Sequence, residues 1–90
     1  MFKRATFYVS GYVQGVFYRA SARQVALKLG LKGFCRNLSD GRVEVVVEGE
    51  EGQIEEMFAW CQKGPSGAHV SHVEIKWVEP TSEFTHFDVR

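Results

Sequence analysis

The hydrophobic period of this 90-residue chain changes from two to about 3.6 across one short segment, Gly11-Tyr12-Val13-Gln14-Gly15-Val16-Phe17-Tyr18-Arg19. Upstream, Ala5 to Val13 alternate, with Phe7, Val9, Gly11 and Val13 on one side, which is the pattern of a half-buried strand. Downstream, Tyr18, Ala22, Val25, Ala26 and Leu29 recur at helical spacing while Arg23, Gln24 and Lys28 face out. Gly11 and Gly15 let the backbone turn tightly and expose consecutive N–H groups. The first N–H groups of a helix lack internal partners, and the helix dipole favours negative charge there. Arg19 adds a permanent cation whose planar fork matches two phosphate oxygens. The segment reads as a compact cradle for one phosphoryl group.

The remaining elements follow from the same two periods. Gly30 is the expected cap of the first helix. Gly33 to Leu38 reads as a short strand, Ser39-Asp40-Gly41-Arg42 as a turn, and Val43 to Glu48 as a valine-rich strand that completes a hairpin. A polar loop is expected at Glu48-Gly49-Glu50-Glu51-Gly52. Ile54, Met57, Phe58 and Cys61 then mark a second helix over residues 53–63, stopped by Gly64-Pro65. His69 to Val78 alternates again, with Val73, Ile75 and Trp77 inward, and Pro80 closes the strand. The tail from Phe84 to Arg90 adds a short edge strand. The order is βαββαβ plus a terminal strand. Two amphipathic helices that must both cover one sheet face predict an α+β, ferredoxin-like split βαβ sandwich on an antiparallel sheet.

Length and charge narrow the function. Ninety residues imply a single domain over 1–90, with one core and no room for a separate cofactor domain. Eleven Lys and Arg balance eleven Asp and Glu. That argues against nucleic acid, which calls for a basic excess, and suits a small anion taken by local geometry. An RNA-binding sheet would also need exposed aromatics on its middle strands, where this chain has Val43-Glu44-Val45-Val46-Val47-Glu48. No apolar run approaches a membrane span, and Thr6 to Ser10 is too short and too polar for a signal-peptide core. A cytoplasmic protein without membrane association is therefore expected.

The chemistry on offer is sparse. In a split βαβ fold the first and second strands flank the third, so Asn37, at the end of the second strand, projects near the cradle. A neutral amide accepts from water and donates to an anion at once. It has no useful pKa near neutrality, so its expected role is to hold a water in line with a bound phosphorus. Without a strong base or a metal, such a site needs a good leaving group. An acyl phosphate expels a carboxylate, whose pKa is about 4. Fixed donors and one arginine then suffice for the charge on the equatorial oxygens.

At these residues the chain resembles the acylphosphatases, hydrolases of the carboxyl–phosphate bond. Val9 to Arg19 matches the family's first motif, G-x-V-Q-G-V-x-x-R. Gly33-Phe34-Cys35-Arg36-Asn37, with Gly41, Val43 and Gly49 following at the expected spacings, matches the second. Phe34 and Cys35 stand where tryptophan and valine are more usual. The resemblance covers the whole chain. It implies that Arg19 binds the phosphate and Asn37 positions the attacking water. The backbone N–H groups of Gln14, Gly15, Val16, Phe17, Tyr18 and Arg19 line the cradle. The resemblance further implies carboxylate and inorganic phosphate as products, with inorganic phosphate as product or inhibitor. No cofactor or metal is implied, and a monomer is expected. Units of this kind also occur within larger carbamoyl-transferring proteins. The alternative reading of the same cradle is a non-catalytic anion-binding module, separated by a phosphate-release assay.

The other reactive side chains have plainer readings. His69 and His72 are three apart and are expected on opposite sides of their strand, and with His86 they read as surface residues. Arg36 reads as a solvated strand residue, and Glu50, Glu51, Glu55 and Glu56 as charges suited to a helix start. Cys61 lies on the apolar helix face. Cys35 shares strand parity with Asn37. A bridge between the two cysteines requires Cys35 to face the helices. A reducing compartment and that shared parity favour two free thiols.

Overall fold

A computed structural model describes residues 1–90. The chain forms β1 (Phe2–Tyr12), α1 (Tyr18–Lys28), β2 (Lys32–Asn37), β3 (Val43–Glu50), α2 (Glu51–Lys63), β4 (His69–Val78) and β5 (Phe87–Val89). The sheet order is β4-β1-β3-β2-β5. Neighbours are antiparallel except β5, which runs parallel to β2. The α+β split βαβ expectation holds, with β1 and β2 flanking β3.

One face of the sheet carries the core. Ala5, Phe7 and Val9 of β1, Cys35 of β2, Val43, Val45 and Val47 of β3, Val73 of β4 and Phe87 of β5 are all buried. They pack in one cluster with Ala22 and Ala26 of α1 and Ile54, Met57 and Cys61 of α2. The alternation that predicted the strands is thus the boundary between core and open face. Leu31 N–H bonds Ala26 C=O and Gly30 N–H bonds Leu27 C=O, so α1 ends in a Schellman motif, as Gly30 suggested.

The opposite face is polar but organised. Glu44 faces Tyr8 across the β1–β3 ladder, and Glu48 faces Arg4. Both carboxylates are buried. Arg36 Nε donates to Glu44 at 2.6 Å, so this arginine is ion-paired as well as solvated. Glu48 accepts from the backbone N–H groups of Thr81 and Ser82 at 2.7 and 3.1 Å. The segment between β4 and β5 is thereby tied over the open face, where Phe84 meets Phe34.

Four expectations are corrected. β1 begins at Phe2, ahead of Ala5. The polar loop at residues 48–52 does not form. β3 continues to Glu50, paired with Phe2 of β1, and α2 starts at once at Glu51. Gly49, expected in that loop, is instead buried in β3, where a Cβ would meet the Leu31 side chain. Trp77 is on the inward-facing parity but is 44% exposed, at the margin of edge strand β4, with the Lys3 ammonium over its ring. Finally, Ser10 pairs with His72 while Gly11 pairs with Val70. This bulge leaves Ser71 unpaired and brings His69 and His72 to the same face, not opposite ones.

Candidate active site

The turn from β1 into α1 is built around backbone conformations that most residues avoid. Gly15 has φ 76°, and Phe17, which caps α1, is left-handed with φ 63° and ψ 23°. No side chain caps this helix. Among the backbone hydrogen bonds of turns and caps, none has a donor between Gln14 and Ala20. The first is Ser21 N–H to Phe17 C=O at 3.0 Å. A run of unpartnered N–H groups at a helix N-terminus is what an anion requires.

Two side chains fix this loop from either end. Gln14 Nε2 donates to the carbonyls of Leu38 and Arg42, at 2.8 and 3.0 Å, and so ties the cradle to the β2–β3 turn. Sequence reasoning gave Gln14 only its backbone N–H. A long amide preceding a glycine was the available signal, but its partner across the hairpin was not. Tyr18 is buried against Trp60, with ring centroids 5.3 Å apart, and its hydroxyl donates to Cys61 C=O at 2.7 Å. Burial pushes its phenol well above the ordinary range, so it remains a donor.

Arg19, Asn37, Gly15, Phe17 and Tyr18 line one cleft of about 270 Å³, together with Val13, Ala20 and Val89. Arg19 and Asn37 are therefore brought together, from the first turn of α1 and the end of β2. The side chains of Gln14 and Val16 turn away from the cleft: the first bonds the hairpin, and the second packs against the core. Asn37 is exposed and makes no side-chain hydrogen bond within the protein, leaving its amide free for a ligand or water. No carboxylate lines the cleft.

Arg19 is anchored by the tail. Its Nη1 donates to the main-chain oxygen of Arg90 at 2.7 Å, and Arg90 N–H in turn bonds Cys35 C=O. Arg23 Nε donates to Phe87 C=O at 3.3 Å. Sequence reading found β5 but not its part in the site. Cys35 faces the helices and Asn37 the cleft on the same side of β2, because the cleft opens at the N-terminal end of α1. Burial pushes the Cys35 thiol up to about 12, against the pull of the Arg19 cation, so it stays protonated. Its Sγ lies 3.6 Å from Arg19 C=O as a weak donor. Both cysteines are free. No group of three or more His, Cys, Asp or Glu side chains is arranged to hold a metal ion, and no helix is long and apolar enough to cross a membrane.

A family model described as acylphosphatase matches residues 5–89. The chain belongs to the acylphosphatase family. It is 49% identical over 86 residues to an acylphosphatase of Roseiflexus sp. (strain RS-1), covering 96% of this chain and 92% of that one. Among solved structures, an acylphosphatase from Coxiella burnetii superposes with a TM-score of 0.93 at 39% identity, over 99% of this chain and 93% of that one. The acylphosphatase of Bacillus subtilis gives 0.94 at 27% identity, over 100% and 99%. The enzyme hydrolyses acyl phosphates, and the non-catalytic alternative falls away.

Proposed function

We propose that Arg19 and the N–H groups from Gln14 to Arg19 hold the phosphoryl group of the acyl phosphate while Asn37 holds the attacking water. The observation that carries this is the single cleft shared by Arg19, Asn37 and the unpartnered start of α1. The water oxygen bonds to phosphorus. The P–O bond to the acyl group breaks, and its electron pair leaves with the carboxylate. The products are carboxylate, inorganic phosphate and one proton. Asn37 orients the water without taking its proton. The cradle stabilises charge on the equatorial oxygens with donors that need not reorganise. The carboxylate needs no protonation on leaving, which fits a cleft without an acid.

In this reading residues 1–90 work as one domain, as a monomer in the cytoplasm. Inorganic phosphate occupies the same cradle as product and inhibitor. The absence of a carboxylate in the cleft and the dispersal of the histidines support catalysis without a metal. The test is phosphate release from acetyl phosphate with excess EDTA. Undiminished turnover is expected, and loss restored by Mg²⁺ or Zn²⁺ would overturn the metal-free reading.

A further inference from the structure

The cleft is larger than the group that the cradle holds. At roughly 30 Å³ per water-sized group, about 270 Å³ accommodates much more than a phosphoryl group. The rest of the wall is apolar, from Val13, Ala20, Val89 and Phe17.

Phe17 is unusual in this wall on three independent grounds. Its backbone is left-handed, a conformation that only one other non-glycine residue, Ser82, adopts in the chain. A bulky side chain is disfavoured there, and glycine or asparagine would relieve the strain. The residue is 82% exposed. It has no aromatic neighbour, whereas Phe7, Phe34, Phe58, Phe84 and Tyr18 each pair with another ring. Its sequence neighbours Val16 and Tyr18 both pack into the core. The fold gains nothing visible from this phenyl group, which costs both strain and exposed apolar surface. An observed backbone outlier of this kind at a functional cleft points to use by the ligand.

We infer that the Phe17 side chain is the contact for the acyl group, so that the enzyme favours acyl phosphates with a flat apolar acyl group over the smallest ones. This rests on the reading of Arg19 and Asn37 as the phosphoryl site. With the phosphorus at the start of α1, the acyl group leaves the cradle past the residue that caps the helix. A planar acyl group lies on the ring, whereas an acetyl group is too short to cover it. Phe17 thus acts twice: through its N–H on the phosphoryl group, and through its ring on the leaving group.

The experiment compares kcat/KM for benzoyl phosphate and acetyl phosphate in the parent and in F17A, F17L and F17Y. The ratio between substrates cancels any disturbance of the cradle itself. It is expected to fall about fivefold in F17A, the size of one aromatic contact, to fall also in F17L, and to be kept in F17Y. A ratio within twofold of the parent in both F17A and F17L overturns the assignment. R19A measured alongside keeps the two readings apart. If R19A loses both substrates, the phosphoryl site stands, and an unchanged ratio in F17A and F17L then removes the Phe17 contact alone.

Discussion

One N–H of the Arg19 guanidinium is engaged by the main-chain oxygen of Arg90, and the rest of the planar fork is left to the cleft. On the proposed role, the side chain is thus held in place before substrate arrives, and little rotamer entropy is lost on binding. Replacing it by alanine removes both the charge and the fork. R19A is expected to lose about 2–4 kcal/mol of transition-state stabilisation, the range for a preorganised donor. R19K should recover little, because an ammonium cannot bond the tail and two phosphoryl oxygens in one plane. Turnover of acetyl phosphate by folded R19A within tenfold of the parent would remove Arg19 from this role. Asn37 has the opposite character: it is exposed, unbonded within the protein and uncharged. N37A should abolish turnover yet bind inorganic phosphate within about threefold of the parent, since on the proposed role Asn37 bonds the water and not the anion, whereas losing a hydrogen bond to the charged phosphate would cost about 1.5–3 kcal/mol. Phosphate titration followed by NMR decides this, and loss of binding together with turnover would make Asn37 a phosphate ligand instead.

Elements were legible where hydrophobic period and local chemistry agreed. The alternation of Phe7, Val9 and Val13 and the helical spacing of Tyr18, Ala22 and Ala26 survive intact, because those side chains are the core. The meeting of Arg19 and Asn37 in one cleft was legible through motifs on either side of two turns. What could not be read was the pairing of distant segments. A one-residue bulge opposite Gly11 reverses the relation of His69 to His72, and nothing local to those residues announces it. Gly49 looked like loop chemistry because its reason, the Leu31 side chain, is contributed by another element. The deepest omission was the pairing of β5, whose existence was expected. Its three residues carry no period of their own, yet its parallel pairing with β2 places Val89 in the cleft and Arg90 on Arg19. The bond uses a main-chain oxygen, so R90A should keep most activity, apart from the stacking of Arg90 on Phe34. Deleting Arg90 removes the acceptor and is expected to lower kcat/KM about tenfold, matching loss of one charge-assisted hydrogen bond of about 1.5 kcal/mol. Steady-state kinetics of the two variants separate main-chain anchoring from a side-chain role. Equal losses in both would refute the anchoring.

At the scale of the whole molecule, the same burial that builds the site makes the fold sensitive to alkali. Burial raises the thiols of Cys35 and Cys61 to about 12, and it raises the Tyr18 phenol as well. An unfolded thiol titrates near 8.5 and an unfolded tyrosine near 10. Between those values and the native ones, the unfolded chain has released protons that the folded chain still holds. Fewer protons on the unfolded state make the stability fall as pH rises. The stability is complete below about pH 8.5. It is then lost at about 1.4 kcal/mol per pH unit for each thiol, with Tyr18 adding to the slope above pH 10. For a domain stabilised by about 5–15 kcal/mol, two thiols remove a large share by pH 10.5. Urea unfolding at pH 8 and pH 10.5 should show that fall. C61A, though less stable at pH 8 because it leaves a cavity, should lose less between the two pH values. Equal pH slopes in the parent and C61A would mean that the Cys61 thiol does not drive the alkaline loss.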